Sequence, residues 1–155
     1  MARISKPDWF MLMTQVISMR ATCSRRQVGC VLVDNHDNVI STGYNGVARG
    51  MLHCTEYPCP GADCLSGQGL DLCEAIHAEQ NALLQCSDVN KIKDCYTSTF
   101  PCVHCIKLLM NTSCLNIYYH EPYPGMEQGN KLWLKSSSNR LIFSTWKKYY
   151  IEETK

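Results

Sequence analysis

Two short segments constrain this chain more than anything else in it: His77-Ala78-Glu79 and, further on, Pro101-Cys102-Val103-His104-Cys105. Alone, the Cys-x-x-Cys fits a redox pair, half of a structural zinc site, or part of a catalytic metal centre. Alone, HAE is an ordinary helix start. Together, in this order and with each opening a helix, they point more narrowly to a catalytic metal centre. A catalytic zinc keeps three protein ligands and leaves its fourth position open. His77, Cys102 and Cys105 supply three ligands of suitable softness. Glu79 is then a carboxylate near the metal, not needed as a ligand and free to move a proton.

The placement at helix starts has a physical basis. A thiolate there is favoured by unpaired N–H groups and the helix dipole, an effect of roughly 0.3–1 kcal/mol. Pro101 suits a helix start because its missing N–H is not needed. Cys102 and Cys105 are spaced to point at one ion. His104 lies about 100° around the helix from each neighbour and points away from it.

The chain has 155 residues, enough for one domain spanning 1–155. Net charge is +1; Arg25-Arg26 and Lys147-Lys148 are isolated pairs, and Lys91 and Lys93 are split. Such a balance gives no support for tracking a polynucleotide backbone. The N-terminus lacks a signal-peptide core and no stretch reaches membrane-spanning length, so the expected location is the cytoplasm. In that reducing setting, eleven cysteines point to thiolate–metal bonds rather than disulfides.

Ser5 and Asp8 form a capping box with Pro7 in the first turn, opening a helix over 6–21. Its helically spaced Trp9, Leu12, Met13, Val16 and Ile17 are expected in the core. Residues 27–34 and 38–45 read as a hairpin. The segment 46–73 is rich in Gly, Pro and Cys and lacks periodicity; insert boundaries of about 47–73 follow. Then come a helix over 74–86, a strand over 95–100, a helix opened by Pro101, and a strand over 114–120. A short helix and a last strand, RLIFST, precede a polar tail. Strands alternating with helices imply an α/β sandwich with a partly parallel sheet.

HAE followed by PCVHC matches the H-x-E…P-C-x-x-C signature of zinc deaminases. With "RATCSRRQVG" (20–29), "TGYNG" (42–46) and "LCEAIHAEQNALLQC", the chain resembles the deoxycytidylate (dCMP) deaminases over roughly residues 5–123. The resemblance implies a three-layer α/β/α sandwich with a mixed, roughly five-stranded sheet, and hydrolysis of dCMP to dUMP and ammonia. It also implies activation by dCTP, inhibition by dTTP, Mg2+ accompanying a bound effector triphosphate, and a hexamer. By the same resemblance Asn45 contacts the nucleotide sugar, with Gly43, Tyr44 and Gly46 shaping its turn and Ala78 alongside. Ser98 stands where relatives usually carry threonine. Arg25 and Arg26, with Arg49 a third, are candidates for phosphate contacts. Glu121 and Tyr123 match a region near the substrate.

Cys54, Cys59, Cys64 and Cys73 cluster in a segment that needs a pin, which a closed four-cysteine zinc site supplies. The resemblance selects Cys23, Cys54, Cys59 and Cys73, with Cys64 and His53 in reserve; the plain alternative is small buried hydrophobes. Cys30, Cys86, Cys95 and Cys114 sit in strand or helix patterns as core. Two rivals share the catalytic motif or the cysteines: a polynucleotide-editing deaminase, and a zinc-stabilised binding module that leaves Glu79 without a role.

Overall fold

The computed structural model describes residues 2–145. The polar tail and the Lys147-Lys148 pair lie outside them. Five strands form one sheet: β1 (Gly29–Val33), β2 (Val39–Tyr44), β3 (Asp94–Thr99), β4 (Asn116–Glu121) and β5 (Leu141–Ser144). Their order is β2-β1-β3-β4-β5. β1 runs antiparallel to both β2 and β3, whereas β3, β4 and β5 are parallel. Two tight requirements set this mixture. The hairpin needs only a short turn, where Asp34 Oδ1 accepts from the N–H groups of His36 and Asn38 at 2.8 and 2.9 Å. Parallel neighbours need a crossover, supplied here by helices.

One helix, α1 (Lys6–Ser18), covers one face of the sheet. The others, α2 (Ala78–Gln85), α3 (Val103–Met110) and α4 (Met126–Ser136), cover the other. The result is the expected three-layer sandwich. Its larger core joins Leu32, Cys95 and Ile117 of the sheet to Ala82, Ile106, Leu109 and Trp133. Cys30, Cys95 and Cys114 are wholly buried and Cys86 is half-buried.

The boundaries depart from expectation where chemistry sits. α2 starts at Ala78, not at 74, because residues before it are extended and Gly46 pairs there with Ile76. Pro101 precedes the N-cap Cys102 rather than opening α3. In α1 the buried residues are Phe10, Met11 and Thr14, while Trp9 and Val16 are exposed. The cause is the run WFMLM: five consecutive apolar residues define no single stripe, so packing chose it.

Candidate active site

His77 and Cys102 are the N-caps of α2 and α3, both with extended backbones. The His77 N–H donates to Gln80 Oε1 at 2.8 Å, which fixes the first turn of α2. His77 Nδ1 lies 3.4 Å from Cys102 Sγ and 3.5 Å from Cys105 Sγ. The three donor atoms lie within 4.8 Å of one another and form the only such group among the described residues. His104 is exposed.

The electrostatics fit a cation. Cys105 and then His77 draw the Cys102 thiol down to about 4, against the effect of burial. Cys105 moves the opposite way: the Cys102 thiolate and burial push it well up. His77 is raised, first by its hydrogen bond to Cys102. Donors this close compete for protons, and one soft divalent ion would replace that competition with three bonds. Three donors and one open side match a catalytic rather than a structural zinc site.

Glu79 is 4% exposed and stands outside the donor group. Burial raises its pKa, opposed by its own backbone N–H and by His77. Thr97 Oγ1 donates to Glu79 Oε1 at 3.0 Å. A cleft opens over this group, bordered by Asn45, Thr99 and Phe100 among others. His77, Glu79, Cys102, Arg25, Arg26 and Tyr123 all border it.

The nucleotide-contact candidates divide by position. Asn45, Ala78, Arg25, Arg26 and Tyr123 border the cleft; Gly43, Tyr44, Gly46, Arg49, Ser98 and Glu121 do not. Asn45 is buried, accepting from the Val28 N–H at 2.8 Å and donating to the Arg26 carbonyl at 2.7 Å. Its amide therefore holds the 26–28 backbone that shapes the cleft wall. Gly43 and Gly46 serve close approach rather than a turn, since neither has a positive φ. A Cβ on Gly43 would meet the Ala78 carbonyl at 2.3 Å, and one on Gly46 would meet Thr22 Oγ1 at 2.5 Å. Tyr44 is exposed and its carbonyl accepts from Asn81 Nδ2 at 2.8 Å. Glu121 is exposed at the end of β4.

Ser98 Oγ accepts from the Gly29 N–H at 3.0 Å. Its neighbours Thr97 and Thr99 face the site, and the sequence reading missed both. The available signal is strand alternation: side chains two apart share a face, so Thr97 and Thr99 lie on the face of Cys95. Arg25 is engaged by the insert: Nη1 donates to the carbonyls of Cys64, Leu65 and Gln68 at 3.3, 3.2 and 2.8 Å. Arg26 makes a long contact to the Pro122 carbonyl and lies 5.8 Å from the Tyr123 ring centroid.

In the insert, Cys59 approaches both Cys54 and Cys73, and Cys73 meets Arg25. Burial opposes ionisation of Cys54, yet N–H donors from Cys59 and Ser24 and the Ser24 hydroxyl bring it to about 7. Cys23 is buried. The four sulfurs of Cys23, Cys54, Cys59 and Cys73 do not form one ligand group as the catalytic donors do. His53 is exposed and Cys64 is half-buried.

This fold, with a His/Cys/Cys group and a carboxylate beside it, defines a zinc-binding deaminase domain. Residues 4–121 match the family described as "Cytidine and deoxycytidylate deaminase zinc-binding region", and the chain belongs to that family. It is 38% identical over 125 residues to deoxycytidylate deaminase of Schizosaccharomyces pombe, covering 76% of this chain and 38% of that one. It is 33% identical over 126 residues to deoxycytidylate deaminase of Mycobacterium phage D29, covering 75% of this chain and 97% of the relative. The chain spans less than half the length of its two yeast relatives, 38% and 44%. The crystal structure of dCMP deaminase from cyanophage S-TIM5 with dCMP and dUMP superposes with a TM-score of 0.70 at 19% identity. That match covers 94% of this chain and 100% of the phage chain. Among the described residues, no helix is long and apolar enough to cross a membrane.

Proposed function

We propose that this chain hydrolyses dCMP to dUMP and ammonia, acting in the cytoplasm. One observation carries the reading: a buried carboxyl, Glu79, borders the cleft beside the three donors but outside their group. His77 Nδ1, Cys102 Sγ and Cys105 Sγ would hold the ion. When bound, zinc supplies the Lewis acidity that makes a water nucleophilic near neutral pH.

Glu79 takes a proton from the attacking water and delivers it to N3 of the pyrimidine as the C4–O bond forms. It then carries a second proton to the amino nitrogen as the C4–N bond breaks. Water is consumed, ammonia leaves, and no redox partner is needed. A buried carboxyl suits this work because burial raises its hold on the proton it must carry. Asn45, Ala78, Tyr123 and an arginine at the cleft contact the nucleotide in this reading.

The test is ammonia release and loss of ultraviolet absorbance with zinc-loaded protein and dCMP, against cytidine, dCTP and RNA. A preference for dCMP of at least about tenfold is expected; equal or greater rates on another substrate overturn the assignment. The reading extends to a second zinc on Cys23, Cys54, Cys59 and Cys73, supported by the contacts of Cys59 with Cys54 and Cys73. Two zinc ions per chain by elemental analysis are expected, and one would remove that site. Activation by dCTP with Mg2+, inhibition by dTTP and a hexamer rest on family resemblance. Effector titrations and sedimentation test them; flat rates or a monomer would end those assignments.

A further inference from the structure

Thr97 occupies the middle of β3, opposite Cys30 on β1 and Tyr119 on β4, and is completely buried. It does not border the cleft. Its hydroxyl nevertheless reaches a residue that does, with Oγ1 3.0 Å from Glu79 Oε1 and 2.8 Å from the Thr99 carbonyl oxygen. A hydroxyl has one proton to donate and two lone pairs to accept with. Facing two acceptors, it can donate to only one of them at a time.

We propose that Thr97 is a positioning residue for Glu79: from the strand behind it, the Thr97 hydroxyl holds Oε1 and keeps the carboxyl in its working orientation. The proposal rests on the reading of Glu79 as the proton carrier. When Glu79 is a carboxylate, Thr97 donates to Oε1.

The geometry confines the effect to turnover. Thr97 touches the carboxyl from behind, so substrate and product meet the same cleft wall with or without it. A valine keeps the branched shape on a strand while removing the donor. Oε1 then lacks that partner in a buried place, and the carboxyl can rotate away from its working position. A lost hydrogen bond to a charged group amounts to roughly tenfold or more in rate.

The experiment compares zinc-loaded wild type, Thr97→Val and Thr97→Ser in the full chain. Steady-state kinetics with dCMP, dUMP affinity by calorimetry and zinc content are measured on each. Thr97→Val is expected to lower kcat about tenfold or more, with KM, dUMP affinity and zinc content within about twofold of wild type. Thr97→Ser is expected to recover most of the lost kcat. A kcat for Thr97→Val within about twofold of wild type overturns the proposal. So does a serine variant as impaired as the valine one, or a loss of dUMP affinity matching the loss of kcat. Wild type is first assayed on dCMP, deoxycytidine and cytidine. Failure on dCMP alone overturns the substrate assignment, and Thr97 is then judged on the substrate that turns over. Failure on all three overturns both.

Discussion

His77 Nδ1 lies 3.4 Å from Cys102 Sγ, and each residue is the N-cap of its own helix. Two helix starts therefore converge on one point from the same face of the sheet. The unpaired N–H groups and dipole of α3 favour a thiolate at Cys102, which is where a cation would bind it.

Removing a donor separates metal binding from catalysis. Cys102→Ser is expected to lose the catalytic zinc and turnover together. Glu79→Gln is expected to keep the zinc and lower kcat by about 10²–10⁴. Elemental analysis beside the ammonia assay checks both; a Glu79→Gln enzyme of near-normal rate contradicts its role.

Gly43→Ala tests how closely α2 must approach β2. Its Cβ would stand 2.3 Å from the Ala78 carbonyl and 2.4 Å from the Ala82 nitrogen. Backbone on both sides cannot yield cheaply, so α2 must shift, at about 1–3 kcal/mol. Denaturant unfolding should show that loss. Because Glu79 rides on the same first turn, kcat should fall as well.

Arg25 tethers the insert through three carbonyls, and Ser66, Gly67 and Leu70 of that insert border the cleft. Arg25→Ala should speed hydrogen exchange across 64–73 and expose the loop to protease, while the exchange of β1 and β3 stays slow. Unchanged exchange in the loop would show that another contact orders it.

Asp94 gives a pH dependence remote from the donors. It is buried and accepts from Asn116 Nδ2 at 2.7 Å; burial raises its pKa against that hydrogen bond and Lys93. A carboxyl whose folded pKa exceeds its unfolded value, about 3.9, binds its proton more tightly in the fold. Its contribution is thus most favourable below the unfolded pKa and declines as pH rises through the folded one. Asp94→Asn should raise Tm by roughly 2 °C at pH 7, and the gain should vanish below about pH 4. Thermal melts across pH decide it; a gain that grows on acidification contradicts the sign.

Residue types and spacing were enough to single out the three donors that the fold brings together and the buried carboxyl near them, because metal ligation and proton transfer allow few side chains. The same is true of the hairpin, whose turn is closed locally by Asp34, and of the N-cap Ser5. Spacing failed where several arrangements satisfy it equally. The apolar run in α1 fits more than one buried stripe, and contact with Tyr96, Val31 and Val33 settled it. Thr97 and Ser98 are adjacent hydroxyls on one strand; alternation puts Thr97 on the face of Cys95, but only the packing of α2 on that face brings Glu79 to it.

By itself, then, the sequence determined which side chains are candidates to hold a metal and to carry a proton, since those identities are chemical and local to each residue. Tertiary structure alone decided how they meet: that two helix N-caps separated along the chain share one point, that Arg25 closes on the insert, and that Thr97 stands behind Glu79. Those are distances between segments remote in sequence, set by how the sheet pairs and how closely the helices pack on it.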